Sequence, residues 1–289
     1  MRKVIVVGSL NTDMVIHAPY IPKGGETLAG SDFMVNCGGK GANQATAAAK
    51  LGGNVLMCGC VGEDMFGDAL IKNLNDVGVD TKYVRKVKGV ATGTAVIIVT
   101  NGENRIVLDK GANASLCEAD IDGVLGEAVA GDIYLTQLEN PIDIVGYGLK
   151  RAKEKGLVTV LNPAPANPEI AKYFSYVDLI TPNESELELF GGKEKLFERG
   201  ISSIITTLGG KGYEHATKVK AQHYDCIKAK VVDTTGAGDT FCGGMCTELA
   251  SGKELEEAMA FGSKAASIAC TRKGAAASIP YRKEVESWE

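Results

Sequence analysis

Asp233-Thr234-Thr235-Gly236-Ala237-Gly238-Asp239-Thr240-Phe241 is the stretch on which the reading turns. Small residues run directly into an apolar segment of helical length, Phe241–Ala250. Gly236, Ala237 and Gly238 let successive backbone N–H groups converge where that helix begins. A helix start carries unpaired donors and the positive end of the dipole, which together make an anion site. Asp239 falls in the first turn. It reads either as an acid complementing the dipole or as a general base standing where a hydroxyl meets a phosphoryl group.

On either side of this stretch, short β-branched runs alternate with helical ones. Strands are predicted over Lys3–Val7, Asn54–Cys60, Ile133–Leu135, Val158–Leu161, Val177–Ile180 and Ser203–Thr207. Helices are predicted over Gly41–Leu51, Met65–Asp76, Ile142–Lys155, Phe241–Ala250 and Glu254–Cys270. Repeated β-then-α order predicts an α/β fold: a doubly wound, mostly parallel sheet with helices on both faces. Two stretches break the rhythm. His17–Asn36 carries Pro19, Pro22 and Gly24-Gly25, and Ala91–Asp109 contains two apolar runs split by Asn101-Gly102-Glu103-Asn104. Asn-Gly between apolar runs signals a hairpin. Segments 12–37 and 91–109 are therefore expected to form a small antiparallel β-sheet lid over the C-terminal edge of the parallel strands. All of 1–289 is read as one domain.

Composition narrows the function. Apolar residues make up 45% and charged residues 23%, and the net charge is -5 without a Lys/Arg cluster. That makes the chain a poor candidate for a general nucleic-acid or membrane-surface binder. No run reaches a membrane span, and the start, Met1 to Gly8, reads as a buried strand rather than a signal segment. Eight cysteines make no C-x-x-C pair and have no histidine at zinc spacing. They read as reduced core thiols in a cytoplasmic protein. His17, His215 and His223 lack partners at triad spacing.

A second glycine-rich stretch is Asn36-Cys37-Gly38-Gly39-Lys40-Gly41-Ala42-Asn43-Gln44. Its glycines allow close approach of backbone to ligand, and Lys40 and Asn43 add donors. The G-x-x-x-x-G-K-[ST] phosphate loop is absent, as is G-x-G-x-x-G after the first strand. A tight turn before a helix would have the same composition.

Taken together, the two glycine-rich stretches resemble the paired signatures of the ribokinase-like carbohydrate kinases. Gly8-Ser9-Leu10-Asn11-Thr12-Asp13, Gln137-Leu138-Glu139, Asn162-Pro163-Ala164-Pro165-Ala166, Thr181-Pro182-Asn183-Glu184 and Thr271-Arg272-Lys273-Gly274-Ala275 resemble further segments of that family, in the same order. The resemblance spans nearly the whole chain. It implies ATP-dependent transfer of a γ-phosphoryl group to a sugar hydroxyl. D-ribose at its 5-hydroxyl is the leading acceptor; deoxyribose, fructose, a deoxy-sugar acid or a nucleoside are the alternatives. The family pattern implies Asp239 as the catalytic base, with Gly236, Ala237 and Gly238 as the anion hole. Asn11, Asp13, Gly39, Lys40, Asn43 and Glu139 would hold the sugar. Asn183, Thr207, Gly209, Gly210, Lys211 and Gly212, with Gly238, would contact ATP. Glu186, with Asn183, would organise Mg2+ through water. Asp233, Thr235, Ala269, Arg272, Gly274 and Ser278 would hold an activating K+, several of them by backbone carbonyls. A homodimer joined through the lid sheets is also implied.

Two departures stand out. Phe190–Gly200 runs almost directly into the strand at Ser203, where relatives carry a longer linker and helix. Gly262 stands where relatives often place a polar residue near the adenine. Two readings of other classes compete: a sugar-binding regulator that has lost its chemistry, and a nicotinamide-dependent dehydrogenase. The intact base and anion stretch argues against the first, and the missing glycine fingerprint against the second. Asn183 and Glu186 also stand at capping-box spacing, a structural role compatible with the functional one.

Overall fold

The computed structural model describes residues 2–288. The strands are β1 (Lys3–Val7), β2 (Asn11–His17), β3 (Ser31–Gly38), β4 (Asn54–Gly62), β5 (Asp80–Val87), β6 (Gly93–Thr100), β7 (Glu103–Asp109), β8 (Ile133–Thr136), β9 (Val158–Leu161), β10 (Leu179–Ile180), β11 (Ser203–Thr207), β12 (Tyr213–Ala216) and β13 (Ala221–Tyr224). The helices are α1 (Lys40–Lys50), α2 (Met65–Asp76), α3 (Glu118–Leu125), α4 (Ile142–Glu154), α5 (Glu184–Leu189), α6 (Gly192–Glu198), α7 (Ala237–Ala250), α8 (Leu255–Ala269) and α9 (Arg282–Ser287).

The large sheet has the order β13-β12-β11-β10-β9-β8-β1-β4-β5. It is parallel from β11 to β5, and the hairpin β12–β13 adds an antiparallel edge. Every residue of Val4–Val7 is fully buried, as both faces of a parallel sheet are covered. Strand alternation then sorts the core. Val4 and Val6 pack with Ala45, Leu70, Met245 and Met259 from α1, α2, α7 and α8. Ile5 and Val7 pack with Ile121 and Leu149 from α3 and α4. Each such aliphatic side chain contributes about 1.5–3 kcal/mol on burial.

The second sheet runs β3-β2-β6-β7. Its outer pairs are antiparallel, while the central pair β2–β6 is parallel. The lid is thus two hairpin-like pairs from distant parts of the chain, laid side by side. Asn101 and Gly102 make the two-residue turn between β6 and β7, with φ of 51° and 78°, the left-handed geometry that favours Asn-Gly.

Some expectations shift. The strand anticipated over Val177–Ile180 keeps only Leu179–Ile180, because a 3-10 run over Pro168–Tyr176 leads into it. β5 escaped the pattern since Asp80, Lys82, Arg85 and Lys86 break its alternation at the sheet edge. The short 190–200 segment still forms α6, anchored by buried Leu196. Gly262 faces α7: a Cβ there would lie 2.6 Å from Phe241 O, and a Cβ on Gly244 would lie 3.1 Å from Gly262 Cα. Its place in the fold is the close crossing of α7 and α8.

Candidate active site

The sheet order reverses at β1, from which β4 and β5 extend one way and β8 to β11 the other. Ligands of doubly wound sheets bind beyond the C-terminal ends of the strands at such a point. Gly8 and Ser9 leave β1 there, and Gln137 to Glu139 leave β8. The start of α1 crosses directly above: a Cβ on Gly41 would sit 2.6 Å from Gly8 C. Only glycine permits that approach.

Asp239 is buried in the first turn of α7. Its Oδ2 accepts from Asn43 Nδ2 at 3.1 Å and its Oδ1 from Gln44 Nε2 at 2.9 Å. Burial pushes its carboxyl up, opposed by Lys40, Gln44 and Asn43, with Glu139 adding to the rise. For Lys40, burial works against the charge, but Asp239, Glu139 and Glu186 more than offset it, and the ammonium is held above its usual range. Asp13, on β2, is pushed up to about 6 by burial, then by Glu139 and Asp239. Three carboxylates and one lysine therefore share a small volume.

Glu139 ties the floor to the lid. Its Oε2 accepts from Ser9 Oγ, from Lys40 N at 3.1 Å and from Asn11 Nδ2 at 3.4 Å. Asn113, in the 3-10 turn after β7, braces the chain where it enters the lid. It accepts from Leu10 N at 2.9 Å, donates to Leu10 O at 3.1 Å and donates to Asn11 Oδ1 at 2.7 Å. Asn11 and Asp13 thus sit on strand β2, not in a turn.

The turn ahead of α7 has Gly236 at φ 74° as its N-cap. Thr240 N–H closes back on Gly236 O at 2.8 Å, and Ala237 N–H is engaged by Thr234 O at 3.2 Å. The N–H groups of Gly238 and Asp239 precede the first i→i−4 bond and have no intrahelical partner. A Cβ on Gly238 would meet nothing within 4 Å, so the space before them is open.

The nucleotide-type turn lies at the end of β11. Asn183 bridges Thr207, whose N–H donates to Pro182 O at 2.9 Å. Leu208 N–H donates to Gly212 O at 2.9 Å across Gly209, Gly210 and Lys211. Asn183 and Glu186 form a reciprocal capping box on α5, at 2.8 and 2.9 Å. The box engages one Glu186 oxygen. Farther along, Asp233 joins two loops. Its Oδ1 accepts from Thr235 N at 2.9 Å and Oγ1 at 2.6 Å, and its Oδ2 from Gly274 N at 2.9 Å. Burial raises Asp233, but these hydrogen bonds outweigh it and hold the carboxyl below the usual range. Ala269 O accepts from Arg272 N at 3.0 Å, and Ser278 Oγ donates to Ala275 O at 2.8 Å. Among the described residues, no group of three or more His, Cys, Asp or Glu is arranged to hold a metal ion. The donor set does fit Mg2+ held largely by water and phosphate beside one carboxylate, and K+ held by carbonyls.

The residues marked in the sequence thus fall into a group around Asp239, a group around Asn183 and Thr207, and a loop pair around Asp233. Ser9, Gln44, Asn113 and Gln137 complete the site without having been assigned a role. Gln44 stood inside a quoted motif, whereas Asn113 carried no local signal.

Residues 1–282 match the pfkB family of carbohydrate kinases. The ribokinase of Haemophilus influenzae is 41% identical, over 98% of this chain and 97% of that protein. The deoxyribokinase of Salmonella typhimurium is 37% identical, over 96% and 95%. The Arabidopsis thaliana ribokinase complexed with ribose and ATP superposes with a TM-score of 0.88 at 32% identity, over 100% and 99% of the two chains. A carboxylate fixed at an open helix start, a lid over a switch point and a match over almost the full length agree: the chain belongs to the pfkB family of carbohydrate kinases.

Proposed function

We propose that the enzyme transfers the γ-phosphoryl group of ATP to the 5-hydroxyl of D-ribose, with Asp239 as the base. The carrying observation is the Asp239 carboxylate, held by Asn43 and Gln44 beside the open start of α7. Phosphoryl transfer asks a protein mainly to position reactants and to neutralise charge. Asn11, Asp13, Gly39, Lys40, Asn43 and Glu139 offer donors and acceptors suited to an uncharged polyol. Asp239 takes the hydroxyl proton as that oxygen attacks. The N–H groups of Gly236, Ala237 and Gly238 face the charge that develops on the phosphoryl oxygens, with Ala237 sharing its donor with Thr234. Thr207, Gly209, Gly210, Lys211 and Gly212, with Asn183 and Gly238, would seat the nucleotide. Glu186, with Asn183, would hold Mg2+ through water, and the ion would supply positive charge to offset that of the phosphates. Asp233, Thr235, Ala269, Arg272, Gly274 and Ser278 would hold K+, whose charge would stiffen the loops behind the anion turn. The lid excludes water, so ATP is not spent on hydrolysis.

A second acceptor, 2-deoxyribose, is favoured by the similarity to a deoxyribokinase. ADP release measured across a sugar panel with magnesium-ATP and potassium separates the two. Ribose is expected to give the highest kcat/KM; a higher value for deoxyribose would replace it.

On the face of the lid turned away from Asp13, strand alternation and register bring Val35, Val96 and Val107 side by side, with Phe33 two residues from Val35, all exposed, an apolar stripe of the kind that interfaces cover. We place a second copy of the chain there, as a lid-to-lid homodimer; light scattering showing only monomer at micromolar concentration would contradict it. No helix among the described residues is long and apolar enough to cross a membrane. The eight cysteines are free thiols, which fits a reducing compartment such as the cytoplasm.

A further inference from the structure

We propose that Gln137, which reaches no reacting atom, sets the orientation and the charge of Asp239 by acting through Gln44. The inference rests on Asp239 being the base. Gln137 and Gln44 are both fully buried. Gln137 Nε2 donates to Gln44 Oε1 at 2.6 Å, and Gln44 Nε2 donates to Asp239 Oδ1 at 2.9 Å. The two amides form a wire from the end of β8, through α1, to the base on α7.

The wire has a polarity. An ionised carboxylate only accepts. Gln44 must therefore turn its NH2 toward Asp239 and its oxygen toward Gln137, and Gln137 must answer with its own NH2. That leaves Gln137 Oε1 buried with no partner. It is pressed against Gly8, where a Cβ would lie 2.1 Å from it. A buried acceptor without a donor is unfavourable, and the fold tolerates it at the end of the wire that faces away from the base. Reversing Gln44 would aim its oxygen at Asp239, which suits only the protonated acid, and would require Gln137 to reverse as well. The unreversed wire thus selects the charged base.

The other groups facing Asp239 do not make this redundant. Lys40 and Asn43, on α1, favour the charge, while burial and Glu139, beyond β8, oppose it. Asp13 on β2 also interacts with Asp239, each disfavouring charge on the other; Cys242 on α7, pushed up to about 12 by burial, is a neutral thiol and adds no charge. Burial works against ionisation, Lys40 is the first influence to oppose it, and the amide donors of Gln44 and Asn43 add to Lys40 in keeping the base charged. Gln137 is a positioning residue: it keeps Gln44 turned the right way.

The test is kcat against pH at saturating sugar and magnesium-ATP, for Gln137→Met and Gln137→Glu. Both keep the shape of the side chain. In Gln137→Met the Gln44 amide loses its lock, and the acid limb is expected to move up by about one pH unit, part of the worth of a hydrogen bond to a charged group. KM for sugar and ATP is expected to stay within about twofold, since binding is not touched. Gln137→Glu sets an acceptor against Gln44 Oε1 and turns the amide round, so its limb moves further. A purely packing role would lower the melting temperature and leave the limb where it is. A limb superimposable on wild type in whichever variant folds overturns the proposal. Asp239→Asn that kept its turnover would instead remove the base reading, a separate and distinguishable result.

Discussion

Around Asp239 both carboxylate oxygens already carry amide partners. On the other side of α7's first turn, Gly238 faces open space, as do Gly209 and Gly210 in the nucleotide-type turn. The Asp239 side, where we place the sugar, is buried, crowded with titratable groups and pre-oriented; the side where we place the phosphates is open and presents backbone N–H groups. The difference follows from the ligands. A neutral polyol brings no charge of its own, so the protein must fix each donor and acceptor in advance. A nucleotide brings charge and its own cations, and needs from the protein a set of aimed N–H groups.

Substitutions on the two sides should therefore fail differently. On the phosphate side, a large effect on turnover is expected from Gly236→Ala, second only to loss of the base itself. Gly236 holds φ 74°, and a Cβ there would lie 3.1 Å from Ala275 Cα. The strained turn would re-aim the donors behind it, and kcat should fall about 100-fold, the scale of one lost oxyanion donor. Unchanged kcat would mean that the turn tolerates a side chain and does not aim the donors.

A smaller effect, and one on stability, is expected from Asp13→Asn on the sugar side. Asp13 titrates at about 6 in the fold against an ordinary 3.8. An acid whose pKa is raised on folding contributes stability that is fully present below pH 4 and is lost as pH rises through 6. Losing that proton costs the sugar-free enzyme about 3 kcal/mol by pH 7, and Asp239, also raised, slopes the same way. Asp13→Asn should flatten part of this fall in melting curves recorded from pH 4 to 7, while raising KM for the sugar. A variant whose stability falls with pH as steeply as wild type would show that Asp13 is not strained by its neighbours.

The two sides also differed in how much the sequence disclosed. Val4–Val7 and Ser203–Thr207 were legible as strands because β-branched runs bounded by breakers carry their own signal, and the Asn101-Gly102 turn was legible because few dipeptides suit its geometry. β5 and the hairpin β12–β13 were not, since edge strands are half solvated and their charges blur the alternation. The lid's parallel centre was hidden for another reason: β2 and β6 are far apart in the chain, and nothing local says which hairpins lie side by side. In the site, the glycine turns announced themselves through composition. Asn113 and Gln137 act across long sequence separations, 103 residues from Leu10 and 93 from Gln44, so their roles appear only once the chain is folded.

The account turns on Asp239 as the group that removes the hydroxyl proton, and Asp239→Asn tests it most directly, because Asn keeps the shape: its oxygen can accept from Gln44, and its NH2 can donate to Asn43 once that amide turns its unpartnered oxygen inward. Sugar-dependent ADP release should fall about 10³-fold, within the range for a lost general base, with sugar affinity by calorimetry changed only a few-fold. Turnover within tenfold of wild type, with sugar bound as before, would contradict the account.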